Sequence, residues 1–314
     1  MAETARRVRQ RPGLARRLDS MIPTPSDAYR SRLLKVVAYI DEHLGDELTL
    51  DVLAGVAAFS KYHFHRQFSA IFGLGIFEVV TLARLKRASY ALAFVHRSVL
   101  DVALDAGYES PEAFARSFKK RFGQTPSEWR RAPDWITWHD TLVPLHDLRR
   151  EHMPKTPSME AVRLVDFPET RIAILSHRGD HRRLGESIRT FIAWRRENQL
   201  PPRISATFNL LYGDPDSTPP EEFRMDICAA VKSAVPANTL GIVEGVIPAG
   251  RCATLRLVGS DEGLGPAFER LYREWLPTSG EEPRDFPPFV QRVTLYPEVP
   301  EHEAITDIFL PLKS

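Results

Sequence analysis

Apolar residues recur every three or four positions through the first 131 residues, which is the spacing of amphipathic helices. Two stripes of phenylalanine, Phe64–Phe68–Phe72 and Phe114–Phe118–Phe122, predict the buried faces of two helices. Residues 77–95 contain no Gly or Pro and predict a connecting helix about 27 Å long. Beyond residue 160 the pattern predicts strands separated by helices, at 171–177, 205–212, 224–231, 251–258, 289–295 and 305–311.

The two phenylalanine stripes belong to an internal repeat with a shift of fifty residues. Residues 50–73 read LDVLAGVAAFSKYHFHRQFSAIFG, and residues 100–123 read LDVALDAGYESPEAFARSFKKRFG. Each copy predicts a short helix, a turn and a second helix with an arginine at the same position, Arg66 or Arg116. This arrangement is a helix-turn-helix, and two copies joined by a rigid helix can place their second helices about 34 Å apart, one turn of DNA.

The helix faces opposite the phenylalanine stripes supply candidate DNA contacts. Arg66 and Arg116 offer a bidentate donor pair to guanine, and Tyr62 suits a thymine methyl group or a sugar. Glu112 accepts from cytosine or repels phosphate, so the second helix is expected to add less affinity. The alternative that both arginines only form ion pairs within the domain stays open. The predicted DNA-binding residues are Ser60, Lys61, Tyr62, His65, Arg66, Arg84, Ser110, Glu112, Ala115, Arg116 and Lys119.

A second duplication, with a shift of eighty residues, shapes the C-terminal half. Residues 171–195 and 251–275 share Arg, Ala, Leu and Gly at equivalent positions, and Asp226 corresponds to Asp307 after a slip of one residue. Each copy reads strand, helix, strand, strand. The predicted product is an α+β domain with internal pseudo-two-fold symmetry, in which a ligand binds where the halves meet.

Charge divides between the two halves. Residues 1–131 hold 21 Lys and Arg against 14 Asp and Glu, whereas residues 132–314 hold 21 against 27, so a polyanionic partner is expected for the first half. Cys228 and Cys252 lie in apolar stretches and are predicted to be buried free thiols, which favours a cytoplasmic location. No stretch of the sequence predicts a membrane span or a signal peptide. Two histidine pairs could ligate a metal, but no third ligand accompanies either His63 with His65 or His177 with His181. We therefore predict no metal and no cofactor.

The stretch from Leu33 to Trp129 resembles the AraC/XylS-type DNA-binding domain. The resemblance is carried by Tyr39-Ile-Asp-Glu-His-Leu, Ser60-Lys-Tyr-His-Phe-His-Arg-Gln-Phe, Arg84-Leu-Lys-Arg-Ala, Ala106-Gly-Tyr-Glu-Ser-Pro-Glu-Ala-Phe and residues 118–130, FKKRFGQTPSEWR. It implies a seven-helix transcription regulator whose recognition helices lie in adjacent major grooves of double-stranded DNA. RNA polymerase is a further expected partner.

Residues 160–314 resemble a GyrI-like effector-binding domain through Tyr212-Gly-Asp-Pro, Thr218-Pro-Pro-Glu-Glu-Phe, the helix from Leu264 to Trp275 and Thr306-Asp-Ile-Phe-Leu-Pro-Leu. The resemblance implies an aromatic-lined pocket with a buried Glu on the penultimate strand. Here that position is Val290 without a gap, or Gln291 after a one-residue shift, so the sequence does not favour a cation and a neutral or differently charged effector is preferred. The predicted pocket residues, for which plain core packing remains the alternative, are Phe208, Tyr212, Glu244, Trp275, Phe289 and Gln291.

The sequence thus predicts two domains: an all-α double helix-turn-helix domain, then an α+β pseudo-two-fold domain. The predicted boundaries are a disordered basic tail at 1–27, the DNA-binding domain at 28–131, a linker at 132–159 and the small-molecule-binding domain at 160–314. The predicted function is sequence-specific transcription regulation controlled by a small-molecule effector, without enzymatic activity. The alternatives are a GyrI-like hydrolase or a ligand-sequestering protein fused to a DNA-binding module, and a constitutive DNA-bending protein.

Overall fold

The computed structural model describes residues 25–152 and 162–313, so the predicted tail at 1–27 lies almost wholly outside the described residues. The N-terminal part is helical. Its helices are α1 Pro25–Glu42, α2 Leu50–Val56, α3 Lys61–Phe72, α4 Ile76–Phe94, α5 Val99–Asp105, α6 Pro111–Phe122, α7 Pro126–Arg131 and α8 Trp135–His152.

The two copies of the internal repeat begin and end their helices at equivalent residues or within one residue of them. Helices α2–α3 and α5–α6 form the two helix-turn-helix units, and α4 joins them. Thr49 and Ser98 cap α2 and α5 by accepting from the third backbone N–H of each helix. Gly73 and Gly123, both with φ near +70°, end α3 and α6 in the left-handed conformation that glycine adopts without strain.

The helical domain has one continuous core around α4. Leu82, Leu85 and Leu92 of α4 are buried, and they share the core with the phenylalanine stripes of α3 and α6. The indole N–H of Trp129 donates to the Ser89 carbonyl oxygen at 3.0 Å, which ties α7 to α4 inside this core. Because α4 is buried along its length, the two units are held as one rigid body.

Most of the stretch predicted as a linker is a helix. In α8, Trp135, Trp138, Leu142 and Leu145 are buried because they recur at the three- and four-residue spacing of one helix face. The end of that predicted linker, from residue 151 to 159, lies outside the residues whose side chains are described. Within the described ranges, no single helix is long and apolar enough to span a membrane, although the bent pair α3–α4 passes on length and composition alone.

The C-terminal domain is built on one eight-stranded antiparallel sheet, in the order β1-β6-β8-β7-β3-β4-β2-β5. The six predicted strands are present. Two further strands, β1 and β5, were missed, so each copy reads strand, strand, helix, strand, strand. The strands are β1 Arg163–Phe167, β2 Thr170–Arg178, β3 Thr207–Leu211, β4 Arg224–Ala230, β5 Val243–Ile247, β6 Gly250–Val258, β7 Phe289–Arg292 and β8 Ile305–Pro311.

Helices cover one face of this sheet. Helix α9 (Leu184–Glu197) packs Phe191 and Trp194 on β2 and β4. Helix α10 begins at Leu264–Glu269, continues as a π-helical stretch at Arg270–Trp275 and a final turn at Leu276–Ser279, and packs on β6–β8. The other face, which we call the open face, carries a separate aromatic cluster of Phe167, Phe208, Phe289 and Phe309. Cys228 and Cys252 are buried and free, as predicted.

The two domains meet through a buried group of charges that we call the interdomain ionic cluster. Lys86 of α4 donates to Glu262 at 3.0 Å and to Glu301 at 2.8 Å, although both acids belong to the C-terminal domain. Arg149 of α8 pairs with Asp41 of α1 and with Glu301. The Arg149 side chain is only 2% exposed, so these charges are largely removed from water.

Candidate DNA-binding surface and effector site

Helix α3 separates a buried face from an exposed basic face. Phe64 and Phe68 are fully buried, whereas Lys61, His65 and Arg66 are exposed and Tyr62 is 78% exposed. Ser60 precedes helix α3 and its side chain does not cap the helix. The first backbone N–H groups of α3 therefore have no side-chain acceptor, and such groups at a helix N-terminus can bind an anion. Lys61 pairs with Asp51 at 3.1 Å, but both side chains are exposed and the pair is easily exchanged for a phosphate.

Helix α6 repeats this arrangement with a more basic end. Ser110 accepts from the Ala113 N–H at 3.2 Å and Pro111 occupies the first helical position. Glu112, Arg116, Lys119 and Lys120 are exposed, and Ala115 is partly exposed, on the face opposite the buried phenylalanines. Among the described ion pairs none contains Arg66 or Arg116. The structure therefore gives no support to the alternative in which these arginines serve only as internal partners.

Arg84 lies in a different environment from the other predicted DNA contacts. Its Nε donates to the Leu44 carbonyl oxygen at 3.0 Å and its Nη2 to the Asp46 carbonyl oxygen at 2.7 Å. The guanidinium also lies over Gly107, where a Cβ atom would come within 2.7 Å of Cζ. Arg84 thus fixes the chain between α1 and α2, and the geometry does not favour its predicted contact with DNA.

The register of the sheet places Val290 and Gln291 on opposite faces. Val290 is buried on the helix-covered face against Leu271 of α10. Gln291 lies on the open face, directly opposite Phe208 of β3 and Asp307 of β8. Of the two residues, only Gln291 therefore presents its side chain, a neutral amide, to the open face.

Four predicted pocket residues share the open face, and two do not. The register puts Phe208 of β3 and Phe289 and Gln291 of β7 on this side, and Tyr212, one residue beyond β3, reaches it through its hydrogen bond to Asp226. Phe208 and Phe289 are buried in the aromatic cluster, whereas Tyr212 is exposed. Trp275 ends the π-helical stretch of α10 and packs on the helix-covered face. Glu244 lies on edge strand β5, where it pairs with Arg171 at 2.6 Å and faces away from the open face.

The structure reveals two carboxylates of the open face that sequence reasoning had not placed there. Asp226, 1% exposed, accepts from Ser176 at 2.6 Å, Tyr212 at 2.9 Å and Arg224 at 2.8 Å. Asp307 accepts two bonds from Arg256, at 2.7 and 2.8 Å. The correspondence of the two Asp residues in the internal repeat was the signal that could have found them.

These contacts give the open face a polar margin beside its aromatic centre. The Arg224 guanidinium lies 3.8 Å from the centre of the Tyr212 ring. Burial, and then the hydrogen bond to Asp226, raise the pKa of Tyr212 to about 12, so its hydroxyl remains a proton donor at neutral pH. Each acid is already matched by an arginine, and the margin therefore offers hydrogen-bonding groups without a free negative charge.

The fold and these two surfaces define a DNA-binding protein with a separate small-molecule-binding domain. Comparisons with known proteins agree. Residues 53–132 match a helix-turn-helix domain family and residues 160–313 match the GyrI-like small molecule binding domain family. The chain belongs to the AraC-type transcription regulators that carry a GyrI-like small-molecule-binding domain.

Individual relatives cover one or the other half. The probable transcriptional regulator YgiV of Escherichia coli (strain K12) is 38% identical over 152 residues, which are 48% of this chain and 95% of that protein. The regulatory protein SoxS of the same strain is 34% identical over 95 residues, 30% of this chain and 89% of that protein. The solved DNA-binding domain of AdpA, in complex with a target DNA, is 31% identical to this chain with a TM-score of 0.31. The match covers 32% of this chain and 90% of the AdpA chain.

Proposed function

We propose that Arg66 and Arg116 read base edges in two successive major grooves on one side of a duplex. The observation that carries this proposal is the exposure of both arginines at equivalent positions of α3 and α6, on either side of a buried connecting helix. Helix α4 has 19 residues, which correspond to about 28 Å. With the widths of the units it joins, this length suits the separation of about 34 Å between adjacent grooves.

The test is selection of bound sequences with the intact protein, followed by titration of Arg66→Ala and Arg116→Ala on the selected site. If the arginine reads a base, its replacement by Ala weakens binding to the selected site by about 1–3 kcal/mol. The variant also loses the preference of the native protein at one base position. Arg203→Ala, which removes an exposed arginine from the other domain, is the matched control. If the variant instead binds all sequences more weakly by the same factor, the residue is a phosphate contact. The slope of log affinity against log salt concentration, which we call the salt slope, should then be reduced by about 1.

The proposed effector site is the open face between its aromatic cluster and its polar margin. Tyr212, Gln291 and the two acid–arginine pairs supply the hydrogen-bonding groups. Because each acid is already paired with an arginine, this surface favours a neutral, aromatic molecule with polar groups over a bare cation. Such a ligand stabilises the protein by about 2.7 kcal/mol at one hundred times its Kd.

A thermal-shift screen of the full chain tests this assignment. A ligand that binds the open face raises the Tm of the native protein. The same ligand should bind the Tyr212→Phe and Gln291→Leu variants more weakly, because these substitutions remove polar groups and keep the approximate size of the side chain. Glu244→Gln, on the opposite face, is the control. A hit that binds all four proteins equally would place the effector site elsewhere.

We also propose that the ligand-bound protein acts on transcription through RNA polymerase in the cytoplasm and does not transform its ligand. The hydrolase alternative relies on a pocket carboxylate as general base, and the arginines paired with Asp226 and Asp307 favour the ionised acids and so make them weaker bases. Single-round transcription with purified polymerase on the selected site measures the regulatory effect. Product analysis after prolonged incubation with the ligand would reveal turnover, which contradicts the second part of the proposal.

A further inference from the structure

A cleft of about 270 Å³ lies between the two domains, away from the open face. One wall is the last turn of α4 and the chain that follows it to Arg97, and the other wall is α9. Arg130 of α7 completes the lining. The volume is close to the lower end of the range of roughly 300–1,000 Å³ found for small-molecule sites, and domain interfaces are a frequent place for such sites.

The lining of this cleft is strongly basic. It contains Arg97, Arg130, Arg189 and Arg196 together with His96, and no acid is among its lining residues. Arg97 is the one arginine of the four whose described partners include a carboxylate, that of Asp105. Glu186 borders a neighbouring recess, but it pairs with Arg183 at 3.1 Å. At least three guanidinium charges of the cleft are thus not balanced by a described acid.

The described partners of these guanidinium groups are mostly neutral. Arg130 donates to the Arg97 carbonyl oxygen at 2.6 Å, and Arg189 donates to the Arg130 carbonyl oxygen at 3.1 Å. Arg196 donates to the Phe94 carbonyl oxygen at 2.8 Å and to His96 Nε2 at 2.9 Å. These bonds orient the guanidinium groups at the domain boundary, yet they do not use all of the guanidinium N–H donors. The buried Nε of Arg130 has no partner among the described residues.

We propose that this cleft binds a small anion that carries phosphate groups or clustered carboxylates. Guanidinium groups pair with such oxyanions through two parallel hydrogen bonds, and charge-assisted bonds of this kind are stronger than neutral ones. Burial without a balancing acid also lowers the pKa of Arg189, the expected response of a cation that lacks its counterion. A ligand in the cleft contacts α4 and α7 on one side and α9 on the other, so it links the DNA-binding domain to the ligand-binding domain.

The proposal is tested with inorganic pyrophosphate and citrate as probes, titrated into the full chain by calorimetry at low salt. The decisive variants are Ala193→Glu and Ala193→Gln, because Ala193 is exposed, lines the cleft and takes part in none of its hydrogen bonds. Ala193→Glu supplies an internal carboxylate that competes with the probe, and Ala193→Gln has the same shape without the charge. Saturable binding that survives in the Gln variant and weakens at least tenfold in the Glu variant supports the site, since loss of a charge-assisted contact costs roughly that much.

Three outcomes of the probe titrations would overturn the proposal. Neither probe binds, or both variants bind as the native chain does, or both variants lose binding equally and charge plays no part. A second arm separates a free anion from a DNA phosphate: DNA affinity is measured against salt without any probe. If Ala193→Glu alone reduces the salt slope by about 1, the cleft is part of the DNA-contacting surface and not a site for a small anion.

Discussion

The interdomain ionic cluster predicts a large effect of a single substitution, Lys86→Met. Met keeps most of the length of the Lys side chain, so the change removes a charge from α4 and little packing. In the native protein Lys86 and Arg149 face Glu262, Glu301 and Asp41, all of them within or next to the domain boundary. After the substitution one buried arginine remains to balance three carboxylates.

The expected cost follows from burial. The side chain of Lys86 is 7% exposed and those of Glu262 and Glu301 are 15% exposed, so water does little to screen the charges that are left. Removing one partner of a buried pair costs about 3–5 kcal/mol, whereas an exposed pair is worth about 0–1 kcal/mol. We therefore expect the free energy of unfolding to fall by about 3–5 kcal/mol at pH 7.

The pH dependence gives a second signature. Burial favours the neutral form of Glu262, but Lys86 and Arg149 outweigh it and hold the pKa of Glu262 below its usual range; the pKa of Glu301 is lowered in the same way. The stabilisation from both acids is thus present above about pH 4.3 and is lost as pH falls through the folded-state pKa. In Lys86→Met the pKa of these acids rises, protonation relieves the repulsion, and the difference from the native protein narrows on acidification.

The assay is equilibrium denaturation of the full chain, followed by fluorescence and by far-ultraviolet circular dichroism between pH 4 and pH 7.5. Lys86→Met with Glu262→Gln restores the native balance of charge and should recover much of the loss. Lys313→Met, which breaks an exposed pair with Glu282, is the surface control. A loss below about 1 kcal/mol at pH 7, or one that does not depend on pH, would refute the reasoning, because the cluster would then behave as a solvated surface network.

Three further substitutions test the helical domain by thermal or chemical denaturation. Gly107→Ala should cost roughly 1–2 kcal/mol, because residue 107 has φ +73° and a Cβ there meets Arg84; a neutral result would mean that the turn relaxes freely. Ser110→Ala should cost about 1 kcal/mol through the lost cap of α6, and an unchanged Tm would show that water replaces it. Phe118→Ala should cost about 3–5 kcal/mol, with Phe77→Ala, at an exposed position of α4, as the control.

The helix-turn-helix half was predicted well because its signals are local. Each four-residue stripe of phenylalanine lies within a few turns of chain, the gap-free repeat marks both copies as one pattern, and the structure buries the stripes as that pattern indicates. Helix α8 was missed as a helix although its apolar spacing was visible, since the partners of Trp135 and Trp138 in α4, such as Tyr90, are distant in sequence. Trp135 packs directly against Gly185 of α9, where any Cβ would meet its ring.

The effector domain was predicted less completely. Strands β1 and β5 are five residues long and lie at the edges of the sheet, where alternation is short and pairing partners are remote in sequence. Glu244 and Trp275 were grouped with Phe208 because all are suitable residue types in one domain. Which face a strand residue occupies depends on register, and a shift of one residue moves it to the other face.

The sequence by itself determined the division into a helical and an α+β part, the two phenylalanine-striped helices with their exposed arginines and the duplication behind the sheet, because hydrophobic period and repetition are properties of the chain. Only the tertiary structure decided that Gln291 and not Val290 reaches the open face, and that Asp226 and Asp307 lie there already paired with arginines. It also decided that Lys86 meets two acids 176 and 215 positions away. Burial and charge pairing between distant segments depend on how sheet and helices are brought together, and no local pattern encodes that.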